Sequence, residues 1–153
     1  MNPAESPSEL DVLLAALEHC LDIPVVPGEL PNWSADVAEA AAALDPALRR
    51  LLDEVHPEQY ERIAEDDPEL LPRVALLKVT DRQLAAELDW VRAQSERLDR
   101  YADEIEPSEN RVAKQVDELV ERGLKLISSV RRQVTAVSTW QAEALYRDRG
   151  EAD

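Results

Sequence analysis

"LLKVTDRQLAAELDWV" (residues 76–91) decides how this chain is read. Leu77, Leu84, Leu88 and Val91 recur at spacings that fit one side of an α-helix. The line continues upstream to Val74 and downstream to Leu98 and Ile105. Asp81 and Ser95 fall on the same line. A carboxylate alone in an apolar seam carries a large desolvation cost, so Asp81 must be hydrated, protonated, or paired with an arginine or a metal ion. Three explanations compete. Asp81 pairs with Arg131 or Arg132 of a neighbouring antiparallel helix and fixes register; it lies at an exposed seam edge; or it is a ligand.

Leu76, Val79, Ala86, Trp90 and Ala93 lie opposite the main seam. A helix apolar on two sides is packed on two sides, so the first half of this helix is expected to be internal. Leu76, Val79 and Trp90 are the expected interaction surface.

Working outward, residues 1–7 read as a loose tail and residues 151–153 as another, with one domain over residues 8–150. Ser8 and Asp11 form the Ser-x-x-acid start of a capped helix, which carries Leu10, Leu13, Leu14, Leu17 and Leu21 on one face and stops at Pro24. "IPVVPGELPNW" (23–33) predicts an extended connection, with Val25, Val26 and Trp33 packing down on the bundle. Ser34 is expected to open a second helix, Asp45-Pro46 to restart it, and His56-Pro57 to break it before a short turn around Tyr60 and Ile63. Asp67-Pro68 begins the long third pattern. "IEPSEN" (105–110) predicts a reversal with Ser108 as cap, making residues 99–109 a projecting acidic tip. Val112, Val116, Leu119, Leu126, Val130, Val137 and Trp140 mark the returning helix, whose seam also contains Gly123 and Gln133. Each long helix is expected to run about 35–40 residues, on the order of 55 Å. The fold class is all-α, an antiparallel four-helix-type bundle with a long C-terminal hairpin and shorter N-terminal helices.

Bulk properties agree. The chain has 153 residues, 4% aromatics, no Phe and only three Gly, so its core is built from aliphatic side chains and it lacks the turn residues of a β-fold. Its net charge of −16 argues against nucleic acid and anionic membrane surfaces as partners. From Glu109 onward acids and bases balance, so the excess lies in residues 1–108. Salt adaptation and an acidic partner surface account for this charge equally well. Cys20 is the only cysteine, and no apolar run approaches the roughly 18 residues that span a bilayer. A polar, acidic N-terminus without a signal-peptide pattern points to a cytoplasmic protein.

Catalytic patterns are missing from the sequence. His19 and Cys20 are adjacent and diverge by about 100° on a helix. His56 has Asp53, not Glu, three residues before it, and reads as a surface histidine next to Pro57. Asp66/Asp67 and Glu104/Glu106 read as caps and solvated ends. No phosphate loop, His-Glu-x-x-His or Gly-x-Ser-x-Gly occurs.

"PRVALLKVTDRQL" (72–84) resembles the start of the third helix in some bacterial hemerythrin-like proteins. "EALYRDRG" (143–150) is similar to their close, through Glu143, Ala144, Asp148 and Gly150. The resemblance implies a four-helix bundle with iron, or another transition metal, held by several histidines. Where the family places histidines on the third and fourth helices, this chain carries Asp81 and Gln133. What remains is a reduced set: His19, His56, Glu61 (or Glu58) and Asp81. The resemblance therefore implies a bundle whose site has been lost, with Asp81 at an old ligand position. On that reading Asp81→Leu stabilises the fold.

The expected function is non-enzymatic: an interaction or scaffold protein without a cofactor, binding a protein partner or a second copy of itself. One alternative is a hemerythrin-like metal- or oxygen-binding protein with the reduced site. Another is an acidic inhibitor that imitates nucleic acid.

Overall fold

The computed structural model describes residues 8–26, 28–102 and 109–151, and among them every regular element is helical. In chain order these are α1 (Glu9–Asp22), α2 (Leu30–Arg50), a π-helical turn (Leu51–Val55), α3 (His56–Asp66), a short 3-10 turn (Pro68–Leu70), α4 (Leu71–Tyr101) and α5 (Glu109–Glu151). The fold is an all-α helical bundle, as the spacing predicts. The tails, the reversal at 105–108 with its Ser108 cap, Ile105 and most of the acidic tip lie outside the described residues. Among those described, no helix is long and apolar enough to cross a membrane.

The chain divides into two compact units. The first comprises Met1–Leu48 and Glu87–Ile127. It begins with the predicted cap: Asp11 N–H donates to Ser8 Oγ at 3.2 Å and Ser8 N–H donates to Asp11 Oδ2 at 3.3 Å. Leu14, Leu17 and Leu21 bury one face of α1, and Leu88, Val91 and Leu98 bury the seam of α4. Gly123 explains itself here. A Cβ built on it would lie 2.6 Å from Leu21 Cδ1, so the missing side chain lets α1 and α5 approach closely. Arg122 of α5 donates to Glu87 of α4 at 2.8 and 3.2 Å and stacks on Trp90, 3.5 Å from the ring centroid. Trp90 is thus half-buried under a guanidinium.

The second helix departs from its expected boundaries. It starts at Leu30, not Ser34, and runs through Pro46 without restarting. Asp45 is not a cap: its carboxylate accepts from Arg92 at 2.8 Å, while Ala41, Leu44 and Leu48 are fully buried and carry the helix past the proline. Trp33 packs inward as expected and Val25 is half-buried, but Val26 is exposed. Cys20 is also only half-buried; burial raises its thiol pKa, and Asp36 and Glu39 add to the rise.

The second unit comprises Arg49–Ala86 and Ser128–Asp153. The break expected at His56-Pro57 does not occur; the helix widens there instead. Pro57 has no N–H, and its ring would clash with the carbonyl four residues back. A π turn over Leu51–Val55, closed by His56 N–H to the Leu51 carbonyl, absorbs the misfit and feeds directly into α3. Tyr60, Ile63, Leu70, Val74, Leu77, Val137 and Ala144 form the core of this unit, with Ala136 and Trp140 packed against it. Arg73 caps Trp140 at 4.7 Å. Asp67 closes the α3–α4 corner by accepting from Glu69 N–H at 3.1 Å and from Arg147 at 3.3 Å. The second apolar face of α4 is not internal in this unit: Leu76 and Val79 are exposed, as is Ala86.

Candidate functional site

The seam carboxylate that stood out in the sequence is the centre of a buried polar cluster in the second unit. Asp81 is 7% exposed and His56 is 1% exposed. The widened turn before Pro57 leads into α3 with His56 and Tyr60 one helical turn apart on its inner face. Asp81 comes from α4 and Gln133 from α5, so each of the three helical segments contributes.

Three side chains converge on the carboxylate. His56 Nδ1 lies 3.1 and 3.0 Å from the two Asp81 oxygens, and the Tyr60 hydroxyl donates to Oδ2 at 2.7 Å. Gln133 Nε2 donates to Oδ1 at 3.0 Å and to the Leu77 carbonyl at 2.9 Å. A carboxylate only accepts, so His56 must carry its proton on Nδ1. The Gln133 amide has its nitrogen between two acceptors, which fixes its orientation in the same way. Among the described residues, no buried side-chain nitrogen or oxygen lacks a partner.

Burial, followed by the hydrogen bond to Asp81 and the charge of that carboxylate, pushes the Tyr60 phenol far above its ordinary range, while Gln133 works weakly against this. The phenol is therefore a donor at physiological pH. A His–Asp pair with a tyrosine can serve acid–base chemistry, but these groups are sealed: all four members of the cluster are at least nine-tenths buried. What the arrangement does chemically is fix how three helices meet. Slippage of α3, α4 or α5 would strand buried donors.

The Arg131 or Arg132 pairing expected for Asp81 is corrected by this network. Asp81 is bonded to His56, Tyr60 and Gln133, whereas both arginines are exposed and Arg132 donates to Ser129 Oγ at 3.2 Å. They flank the seam position held by Gln133 and do not occupy it. His56 is likewise not a surface histidine, because the continuous helix turns it inward. Of the residues the resemblance grouped as ligands, His56 and Asp81 meet. Glu61 faces solvent from α3, and His19 lies exposed on α1 of the first unit. Among the described residues no three His, Cys, Asp or Glu side chains gather as a metal-binding group. Sequence reasoning missed Tyr60 as a member, although its i, i+4 spacing from His56 was the available signal.

The first unit contains a cleft of about 610 Å³. Apolar side chains dominate it: Leu21, Ile23, Val25 and Val26 on one side, Val112, Val116 and Val120 on the other.

Compared with protein-family models, with characterised proteins and with solved structures, the chain matches none.

Proposed function

We propose that this protein is a non-enzymatic helical bundle that works by binding a protein surface through the outer side of α4. One observation carries the reading. Between Leu71 and Ala86 the inner seam of α4 is buried, while Leu71 (54% exposed), Leu76 (59%) and Val79 (41%) face solvent together with Ala75 and Ala86. Isolated exposed leucines are ordinary, but a row of them at helical spacing opposite a complete seam is the pattern of a docking helix.

The double variant Leu76→Glu/Val79→Glu tests the proposal. Both side chains lie outside the core, so the thermal midpoint is expected to stay within the change produced by about 0.5 kcal/mol. Association, measured as the mass of the protein in solution and in an extract of its source cells, is expected to be lost. A variant that melts several degrees lower would place the pair in the fold and not in an interface. Unchanged association would move the binding surface elsewhere.

A further inference from the structure

The outer side of α4 in the second unit differs from the rest of this acidic chain in charge as well as in polarity. Between Leu71 and Ala86 the helix carries Lys78 and Arg82 on one flank, Arg73 on the far flank over Trp140, and Asp81 on the buried seam, so no carboxylate faces solvent there. Lys78 and Arg82 form no ion pair among the described residues. The solvent side of the neighbouring helical run in the same unit has the opposite character. Asp53, Glu54, Glu58, Glu61 and Glu65 are exposed there, and Val55 adds an exposed apolar side chain. Arg50 and Arg62 answer Glu54 and Glu58 along their own helices, at 3.6 and 2.9 Å, leaving Glu61 and Glu65 without an ion-pair partner among the described residues.

Resting on the reading above, we propose that the occupant of the α4 face is a second copy of this chain, whose acidic α3 face lies against the first copy's Lys78 and Arg82. The match is reciprocal. Each copy offers one basic apolar face and one acidic face, and a twofold pair in which each face meets its opposite satisfies both at once. The apolar row supplies the burial, and the charges choose the partner and the pairing of faces. Each copy contributes two short helical faces, so the interface is small and mostly electrostatic at its rim. The dimer is accordingly concentration-dependent and weakened by salt.

Charge reversal on the full chain tests this by sedimentation equilibrium. Lys78→Glu/Arg82→Glu makes both facing surfaces acidic, and Glu61→Lys/Glu65→Lys makes both basic. All four positions are exposed, so helical content and melting serve as the control for folding. The wild type is expected to dimerise, and each double variant alone to dissociate at least about tenfold more readily. Mixing the two double variants is expected to restore a dimer containing one copy of each, because every face then meets its opposite. Three results would overturn the proposal: a monomeric wild type at all concentrations, a dimer indifferent to both reversals, or a mixture that stays monomeric. A monomeric wild type whose Leu76 and Val79 are nevertheless protected in cell extract overturns self-association alone. A monomer with both side chains unprotected there overturns the interaction reading as well.

Discussion

Asp81→Leu is expected to destabilise the protein by about 3–5 kcal/mol, because the substitution removes the only acceptor that three buried donors share. For a chain of this length that is a fall in thermal midpoint on the order of 10 °C. Leucine fills the space but leaves the His56 Nδ1–H, the Tyr60 hydroxyl and one Gln133 N–H facing a hydrocarbon. Asp81→Asn keeps one acceptor and the shape, and is expected to cost less. The sign of the leucine variant separates two accounts of the same residue. A vestigial ligand would be better replaced by leucine, whereas the hub of a satisfied network would not.

Tyr60 gives the same network an independent readout through pH. Its phenol pKa is raised in the fold, so the stability it contributes is complete below the unfolded value of about 10 and is lost as pH rises above it. Melts across that window are expected to show an alkaline decline in the wild type that is smaller in Tyr60→Phe. Tyrosinate absorbance from Tyr60 is expected to appear only with unfolding. An equal decline in both proteins would remove Tyr60 from the account.

The second large effect belongs to the first unit. Trp33→Ala is expected to cost about 3–5 kcal/mol in a denaturant titration followed by far-ultraviolet circular dichroism. Trp33 is buried at the start of α2, and its indole N–H donates to the carbonyls of Cys20 and Ile23 at 3.1 Å each. Those are two of the carbonyls that the end of α1 leaves without helical partners. One side chain thus fills the core and closes a helix end beside the apolar cleft. Trp33→Phe keeps most of the packing and loses the hydrogen bonds, so about 1 kcal/mol is expected. If the alanine variant cost no more than the phenylalanine variant, the packing role would be refuted.

The inner seams were legible in the sequence because burial on one side of a long helix leaves a strict pattern. Val74, Leu77, Leu84, Leu88, Val91 and Leu98 are buried as the spacing requires, and so are Val116, Leu119, Leu126, Val130 and Val137. Proline was less legible. Pro24 and Pro68 mark helix boundaries, but Pro46 and Pro57 are carried through, one by flanking buried side chains and the other by a π turn. Whether a helix survives a proline depends on packing that lies far away in sequence. The His56-Pro57 junction also decides where the site lies. With a break at His56-Pro57, His56 reads as a surface residue and Asp81 has only arginines for partners. With a widened turn, His56 and Tyr60 face inward and the carboxylate acquires donors from three segments. The outer face of α4 was visible as a second apolar line, but the line itself does not distinguish burial within the chain from burial against another one.

That distinction is the central claim, and hydroxyl-radical labelling of the α4 side chains tests it most directly. In dilute isolated protein, Leu76 and Val79 are expected to label strongly while Leu77 and Leu84 stay protected. At high protein concentration Leu76 and Val79 are expected to become protected without any change in the inner seam. Labelling of Leu76 and Val79 that is equally strong at every concentration and in cell extract would contradict the account, because the face would then have no occupant.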